Sequence, residues 1–104
     1  MPSQFDQGLE MRKSVLGEEY VEESFARATD FDRPFQEFIT ENAWGGVWTR
    51  GPLDKKTKSL ITLSVLVALR AEGEIGLHTR GAINNGVTPD EIVGLLIHPS
   101  AYAG

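Results

Sequence analysis

The amino-acid sequence predicts an all-α protein, and three observations support this prediction. No stretch alternates apolar and polar residues in the way that a half-buried strand requires. Apolar residues recur instead three or four positions apart, which is the spacing of one helix face. The signals between these stretches also belong to helices, because Asn85-Gly86 is typical of a helix end, whereas Thr88, Pro89 and Glu91 are typical of a helix start.

The first helical region spans residues 4 to about 28 and is rich in glutamate. Its apolar residues lie at loosely helical spacing, and we expect Gly17 to divide it into two helices. The next helix has Asp32 as a candidate N-cap and Pro34 in its first turn. Its predicted apolar face consists of Phe35, Phe38, Ile39 and Trp44.

Residues 45–54 predict a structured loop. Its two adjacent glycines, Gly45 and Gly46, are expected to end the preceding helix, and Asp54 is a candidate N-cap for the following one. That following helix is predicted from Lys55 to about Glu72. After a charged first turn it is apolar on every face, a pattern typical of a helix enclosed by protein on all sides.

Two further helices complete the predicted fold. One spans residues 74 to 85 and ends at the left-handed cap expected at Gly86. The other begins at Pro89, where Thr88 and Glu91 predict a capping box. We expect Pro99 to kink or end this last helix, because a proline removes a backbone donor from the helix interior.

Length and composition limit the number of domains and exclude several kinds of chemistry. A chain of 104 residues is sufficient for a single domain, here residues 1–104, with a thin core. The absence of cysteine excludes disulfides, zinc–thiolate sites, iron–sulfur clusters and thiol catalysis. Oligomerisation remains the common way to supplement such a core, and an all-round apolar helix from Leu60 to Leu69 favours it.

Charge and hydropathy give further expectations about location and partners. The net charge of −5 argues against general affinity for nucleic acid. The N-terminal residues lack the layout of a secretion signal, and the longest nearly apolar run is too short to span a membrane. We therefore expect a cytoplasmic protein that binds neither nucleic acid nor a membrane.

Glu74 and His78 form the most suggestive pair for chemistry. Their spacing of four places both side chains on one helix face, where the carboxylate can orient the imidazole and favour its protonated form. Such a pair suits general acid–base catalysis, although a surface ion pair explains the same spacing. Only His98 remains as a further imidazole, so no metal site is expected.

The predicted loop contains a second candidate group, Trp48 and Arg50. An aromatic wall beside a guanidinium could hold a flat anionic ligand, or the indole could simply pack beneath the loop. Arg80 follows His78 by two residues and should leave its helix on another side. His98 and Tyr102 share a face only if the last helix continues past Pro99.

The order of several segments resembles the carboxymuconolactone decarboxylase family, in its γ-carboxymuconolactone decarboxylase branch. The resemblance covers residues 11–104 and includes the patterns W-T-R, L-D-x-x-T-x-S-L, E-x-x-x-H-x-R and N-N-G-V-T-x-x-E-I. A second branch of the fold, similar to the thiol peroxidase alkylhydroperoxidase D, has a C-x-x-C pair before the histidine. Glu74 holds the place of its second cysteine, so the chain resembles an acid–base enzyme instead of a peroxidase.

This resemblance implies an alkylhydroperoxidase D-like fold of about six helices and a ring-like homo-oligomer, usually a hexamer. It also implies a cofactor-free decarboxylation of 4-carboxymuconolactone, a small anionic lactone, to 3-oxoadipate enol-lactone in the β-ketoadipate pathway. His78 would then donate a proton and Glu74 would orient it. The expected substrate-binding residues are Arg50, Arg80, Trp48 and Tyr102.

Two alternatives remain open from the sequence. A family member with the same Glu74 and His78 pair could act on another small carboxylated lactone or ketone. An oligomeric helical protein could instead only bind such a compound, without catalysis. The chain departs from the family pattern at two positions. The helix of the family usually runs unbroken where this chain has Pro99, and a charged residue is more usual at the position of Gly94.

Overall fold

The computed structural model describes residues 1–104 and contains helices only, which confirms the predicted all-α class. Six α-helices and one π-helix follow one another along the chain. Their bounds are α1 Gln4–Leu16, α2 Glu18–Ala26, α3 Arg33–Ile39, the π-helix Thr40–Trp48, α4 Lys55–Ala68, α5 Glu72–Asn84 and α6 Pro89–Ala103. None of these helices is both long enough and apolar enough to cross a lipid bilayer.

The chain forms two compact units, Met1–Pro52 and Leu53–Gly104. In the N-terminal unit, α1 packs along the π-helix, and the core there contains Val15, Trp44 and Trp48. Gly17 ends α1 with a backbone φ of 96°, a conformation that glycine adopts without steric cost, which confirms the predicted division of the first region.

The expected helix end at Gly45 and Gly46 is wrong, because the π-helix continues through both glycines to Trp48. The reason lies in packing against α1. A Cβ at Gly8 would overlap the carbonyl oxygen of Thr40, and a Cβ at Gly45 would overlap the carbonyl oxygen of Gln4. The glycines therefore allow two helices to approach closely instead of ending one.

Two smaller predictions about this region are also wrong. The carboxylate of Asp32 caps no amide of α3 and accepts instead from the backbone amide of Thr29 at 2.6 Å. Phe35 and Phe38 are exposed, whereas Trp44 is buried, so they do not share one apolar face. The change from an α to a π period between them alters which side chains face the core.

The C-terminal unit packs α5 and α6 against α4. Its core consists of Leu63, Ala82, Val87 and Leu95. α4 begins as predicted, because Asp54 accepts from the amide of Thr57 at 2.8 Å, but it ends at Ala68 and not near Glu72.

The turns of this unit follow the predicted signals. Gly86 has a φ of 94°, and the amide of Val87 bonds to the carbonyl of Ala82, which completes a Schellman cap at the end of α5. Thr88 and Glu91 form the predicted capping box at the start of α6. The turn before α5 contains Arg70 with a φ of 58°, which is a left-handed conformation that a residue with a side chain rarely adopts.

Of the two outcomes expected at Pro99, a kink or a helix end, the helix end does not occur, because α6 continues through Pro99 to Ala103. The proline costs one backbone donor, but residues on both sides of it stay helical. Much of this unit's apolar surface is exposed. The exposed large apolar residues include Ile61 and Val65 on α4, Leu69 just after it, and Val93, Leu96 and Ile97 on α6.

Candidate active site

Helix α5 carries the Glu74 and His78 pair and is anchored on α4. Its C-terminal half packs through Ala82 on Leu63, and Asn85, which follows the helix, donates a hydrogen bond to Ser59 at 2.9 Å. The Glu74 side chain is 58% exposed, whereas that of His78 is only 14% exposed. The carboxylate is therefore solvated and the imidazole is largely enclosed.

The two side chains approach each other as the spacing predicts. A carboxylate oxygen of Glu74 lies 3.7 Å from Nε2 of His78, which is an ion-pair distance longer than a hydrogen bond. At this distance the carboxylate acts on the imidazole through its charge. The carboxylate can then orient the imidazole without being buried itself.

Burial and charge act on the proton affinity of His78 in opposite directions. Burial lowers the pKa of His78 below its usual value, because a charged imidazolium loses hydration in the enclosed position. The carboxylate of Glu74 raises the pKa by a smaller amount. The imidazole is therefore mainly neutral at pH 7, with a carboxylate in place to stabilise its protonated form.

Arg80 also lies on α5, but its exposed side chain leaves the helix on a different side from His78. Tyr102 is 82% exposed near the end of α6. Because this helix continues past Pro99, the rings of Tyr102 and His98 share a face, with their centroids 5.5 Å apart.

The second candidate group lies at the end of the π-helix in the N-terminal unit. The indole of Trp48 is buried and stacks on that of Trp44 with 4.9 Å between the ring centroids. Trp48 therefore lies in the core. Of the two interpretations from the sequence, this position agrees with an indole that packs beneath the loop. Arg50 follows the helix and is exposed, and its Nε donates a hydrogen bond to the carbonyl of Gly46 at 2.7 Å.

Sequence reasoning missed the contribution of the π-helix to the position of Arg50. Two of the last carbonyls of this helix accept hydrogen bonds from side chains that follow it, Gly45 from the hydroxyl of Thr49 and Gly46 from Arg50. Two adjacent glycines were the only signal in the sequence, and they also fit a helix end. No group of three or more His, Asp or Glu side chains is close enough together to hold a metal ion.

Comparison with known proteins gives a consistent set of relatives. Residues 33–104 match the carboxymuconolactone decarboxylase family. The chain is 55% identical over 100 residues to nitrosuccinic acid decarboxylase npaB of Metarhizium robertsii, covering 96% of this chain and 70% of that protein. It is 49% identical over 100 residues to 4-carboxymuconolactone decarboxylase of Acinetobacter baylyi, covering 96% of this chain and 75% of that protein.

Proposed function

Because this chain belongs to the carboxymuconolactone decarboxylase family, we propose that it is a carboxy-lyase that converts 4-carboxymuconolactone to 3-oxoadipate enol-lactone in protocatechuate degradation. The observation that carries the proposal is the largely enclosed imidazole of His78, 3.7 Å from the carboxylate of Glu74. This pair places a candidate general acid, a largely enclosed imidazole, beside a solvated carboxylate that can support its protonated form.

The substrate supplies its own electron sink for this reaction. The bond between the ring carbon and the departing carboxylate breaks, and carbon dioxide leaves. The electron pair moves through the ring double bond to the lactone carbonyl, which becomes an enolate oxygen. A proton is then added to the carbon next to that carbonyl, which gives the enol-lactone. The protein has to hold the dianion, stabilise the enolate and deliver the proton.

His78 is the proposed proton donor, and Glu74 orients it and supports its cationic form. In the free chain the imidazole is mainly neutral, because burial lowers the pKa of His78. A bound dianion favours the imidazolium, so substrate binding is accompanied by proton uptake at this residue. The proton that the reaction consumes is then taken up at His78 when the substrate binds.

Arginine and aromatic side chains are the proposed substrate-binding groups. Arg50 and Arg80 bind the substrate carboxylates and stabilise the enolate oxygen, since guanidinium groups match carboxylates in geometry and charge. Trp48 and Tyr102 are the proposed aromatic contacts of the substrate, although the structure places Trp48 in the core of the N-terminal unit.

A second candidate substrate is nitrosuccinic acid, which the relative from Metarhizium robertsii is named for and which the 55% identity favours. Its nitro group can accept the electron pair when the neighbouring carboxylate leaves as carbon dioxide, and the resulting nitronate takes a proton on carbon. Both reactions thus need groups that bind the substrate carboxylate, groups that stabilise an oxyanion, and one proton donor. The same residues serve either substrate.

We further propose that the protein assembles into a homo-oligomer, a ring-like hexamer. Support comes from the exposed apolar side chains of the C-terminal unit. Ile61 and Val65 lie one turn apart on α4, and Leu69 directly follows that helix. All three are exposed, as are Val93, Leu96 and Ile97 on α6. Many exposed large apolar side chains are typical of a protein that buries them against a partner.

Spectrophotometry tests the proposed reaction. Freshly prepared 4-carboxymuconolactone should lose its ultraviolet absorbance at a rate proportional to enzyme concentration, with release of one carbon dioxide per molecule. Nitrosuccinic acid is assayed in parallel by carbon dioxide release. The substrate with the larger kcat/KM is the better match to this site. No enzyme-dependent loss of either compound would refute decarboxylation and favour a binding protein.

A matched pair of variants then tests the role of Glu74. Glu74→Gln keeps the size of the side chain and removes the charge that stabilises protonated His78, so kcat should fall while the fold is retained. Glu72→Gln makes the same change in the first turn of α5 and should leave kcat unchanged. Equal activities of the two variants would contradict the proposed role of Glu74.

A further inference from the structure

The π-helix Thr40–Trp48 leads directly to Arg50. A π-helix pairs each carbonyl with the amide five residues later, and such segments are rare and occur frequently at functional sites. This one spans nine residues. Its geometry fixes the direction in which the chain leaves it, and therefore the position of the Arg50 side chain.

Gln4, in the first turn of α1, contacts the middle of this helix. Its side-chain Nε2 donates a hydrogen bond to the carbonyl of Glu41 at 2.9 Å. In the π pattern that same carbonyl pairs with the amide of Gly46. The Gln4 amide also covers Gly46 closely, because a Cβ built on Gly46 would lie 3.2 Å from Nε2 of Gln4.

Gly46 in turn contacts Arg50. The Gly46 carbonyl accepts the hydrogen bond from Nε of Arg50 at 2.7 Å, which orients the plane of the guanidinium. A continuous series of contacts therefore connects Gln4, the carbonyl of Glu41, Gly46 and Arg50. All four residues lie in the N-terminal unit.

We propose that Gln4 is a positioning residue for Arg50: its amide holds the π-helix in the register that orients the guanidinium toward a substrate carboxylate. The inference rests on the proposed function in one respect, because it takes Arg50 as a carboxylate-binding residue. Gln4 itself acts only through the helix and touches no substrate.

The hydrogen bond from Gln4 to Glu41 is not one of the main packing contacts that hold α1 and the π-helix together. The close crossing of α1 and the π-helix occurs at Gly8 and Gly45, and the buried Arg12 bonds to Thr40 at 2.9 Å. Gln4 is exposed, and its hydrogen bond to Glu41 is also exposed. Gln4→Glu and Gln4→Lys keep the Gln4 backbone and the Cγ that lie against Gly45, so these variants retain the close approach of the two helices.

Gln4→Glu is the most informative substitution. It preserves the size of the side chain and suits the first turn of a helix, but it replaces the N–H donor with an oxygen that the Glu41 carbonyl repels. Gln4→Lys restores a donor. Gln7→Glu is the matched control, because it makes the same change one turn later, where Gln7 bonds only to the carbonyl of Pro2.

A double-mutant cycle with Arg50→Ala measures whether Gln4 acts through Arg50. We expect Gln4→Glu to lower kcat/KM by about tenfold, mostly through KM, and Gln4→Lys to recover most of this loss. In the Arg50→Ala background Gln4→Glu should change kcat/KM by less than about twofold. An equal loss in both backgrounds, or no loss in either, would overturn the proposal.

Nuclear magnetic resonance tests the inference without substrate. The Nε–H group of Arg50 should give a resonance that exchanges slowly with water, which Arg50→Lys removes and so assigns. Gln4→Glu should shift this resonance and speed its exchange, whereas Gln7→Glu should not. An unchanged resonance in Gln4→Glu would overturn the inference even in an active enzyme. An inactive wild-type protein with the expected resonances would contradict only the proposed function.

Discussion

Replacing Gly8 with alanine should destabilise the protein, although the same change inside an unobstructed helix stabilises it. Gly8 lies within α1, where alanine is favoured over glycine by about 0.8–1.0 kcal/mol. A Cβ at this position would overlap the carbonyl oxygen of Thr40 and lie 2.7 Å from the amide nitrogen of Gly45. Both are backbone atoms of the π-helix and cannot rotate away.

The size of the effect follows from these two opposing contributions. Forcing an extra carbon into a packed contact typically costs 1–3 kcal/mol, and a backbone neighbour favours the upper end of about 3 kcal/mol. After subtraction of the helix propensity gain, Gly8→Ala should lower the free energy of unfolding by roughly 2 kcal/mol. In a domain of this size that corresponds to a fall of about 8–16 °C in Tm.

Thermal and urea unfolding at equal protein concentration measure this effect. Gly94→Ala is the matched control, because Gly94 also lies inside a helix but a Cβ there would meet no atom within 4 Å. The control should be more stable than wild type by about 0.5–1 kcal/mol. If Gly8→Ala proved as stable as Gly94→Ala, the close crossing of α1 and the π-helix would be refuted.

Three other substitutions probe the C-terminal unit. Arg70→Gly should raise the urea midpoint, with a gain of about 0.5–1 kcal/mol, because it relieves the left-handed backbone at φ 58°; a lower midpoint would contradict this. Thr88→Ala should cost about 1 kcal/mol by loss of the capping box, whereas Thr88→Ser should restore it, and equal loss in both would argue against the cap. His78→Gln should change how stability depends on pH. Because the pKa of His78 is lowered in the folded protein, only the unfolded chain takes up a proton here just below pH 6.5, and wild type loses stability as pH falls. The variant should lack this loss, and a constant difference between the two proteins from pH 5 to 7.5 would refute the lowered pKa.

Local signals in the sequence predicted most helix ends correctly. Gly17, Asp54, Gly86 and Thr88 act through hydrogen bonds or backbone angles within a few residues, which a sequence shows directly. The role of Gly45 could not be predicted from such local signals. Its role depends on α1, which lies far away in sequence, so local propensity predicted a helix end where tertiary packing required a close approach.

In the candidate site, too, some features follow from local sequence signals and others depend on tertiary packing. The approach of Glu74 and His78 follows from a spacing of four, and the structure confirms it. The unequal exposure of the two side chains depends on packing around α5 and has no signal in the sequence. The orientation of Arg50 by Gly46 was equally hidden, because a π-helix has no distinctive sequence pattern comparable to a capping box.

The most direct measurement is the kcat of His78→Gln compared with that of His98→Gln, with the preferred carboxylated substrate at saturation. If His78 donates the proton, its replacement should lower kcat by about 10²–10⁴-fold, the usual contribution of a general acid. His98→Gln makes the same change on α6, at a histidine that lies beside Tyr102 and has no proposed part in proton transfer, so it should retain wild-type kcat at saturation. A folded His78→Gln protein that retained wild-type kcat would contradict the proposed mechanism.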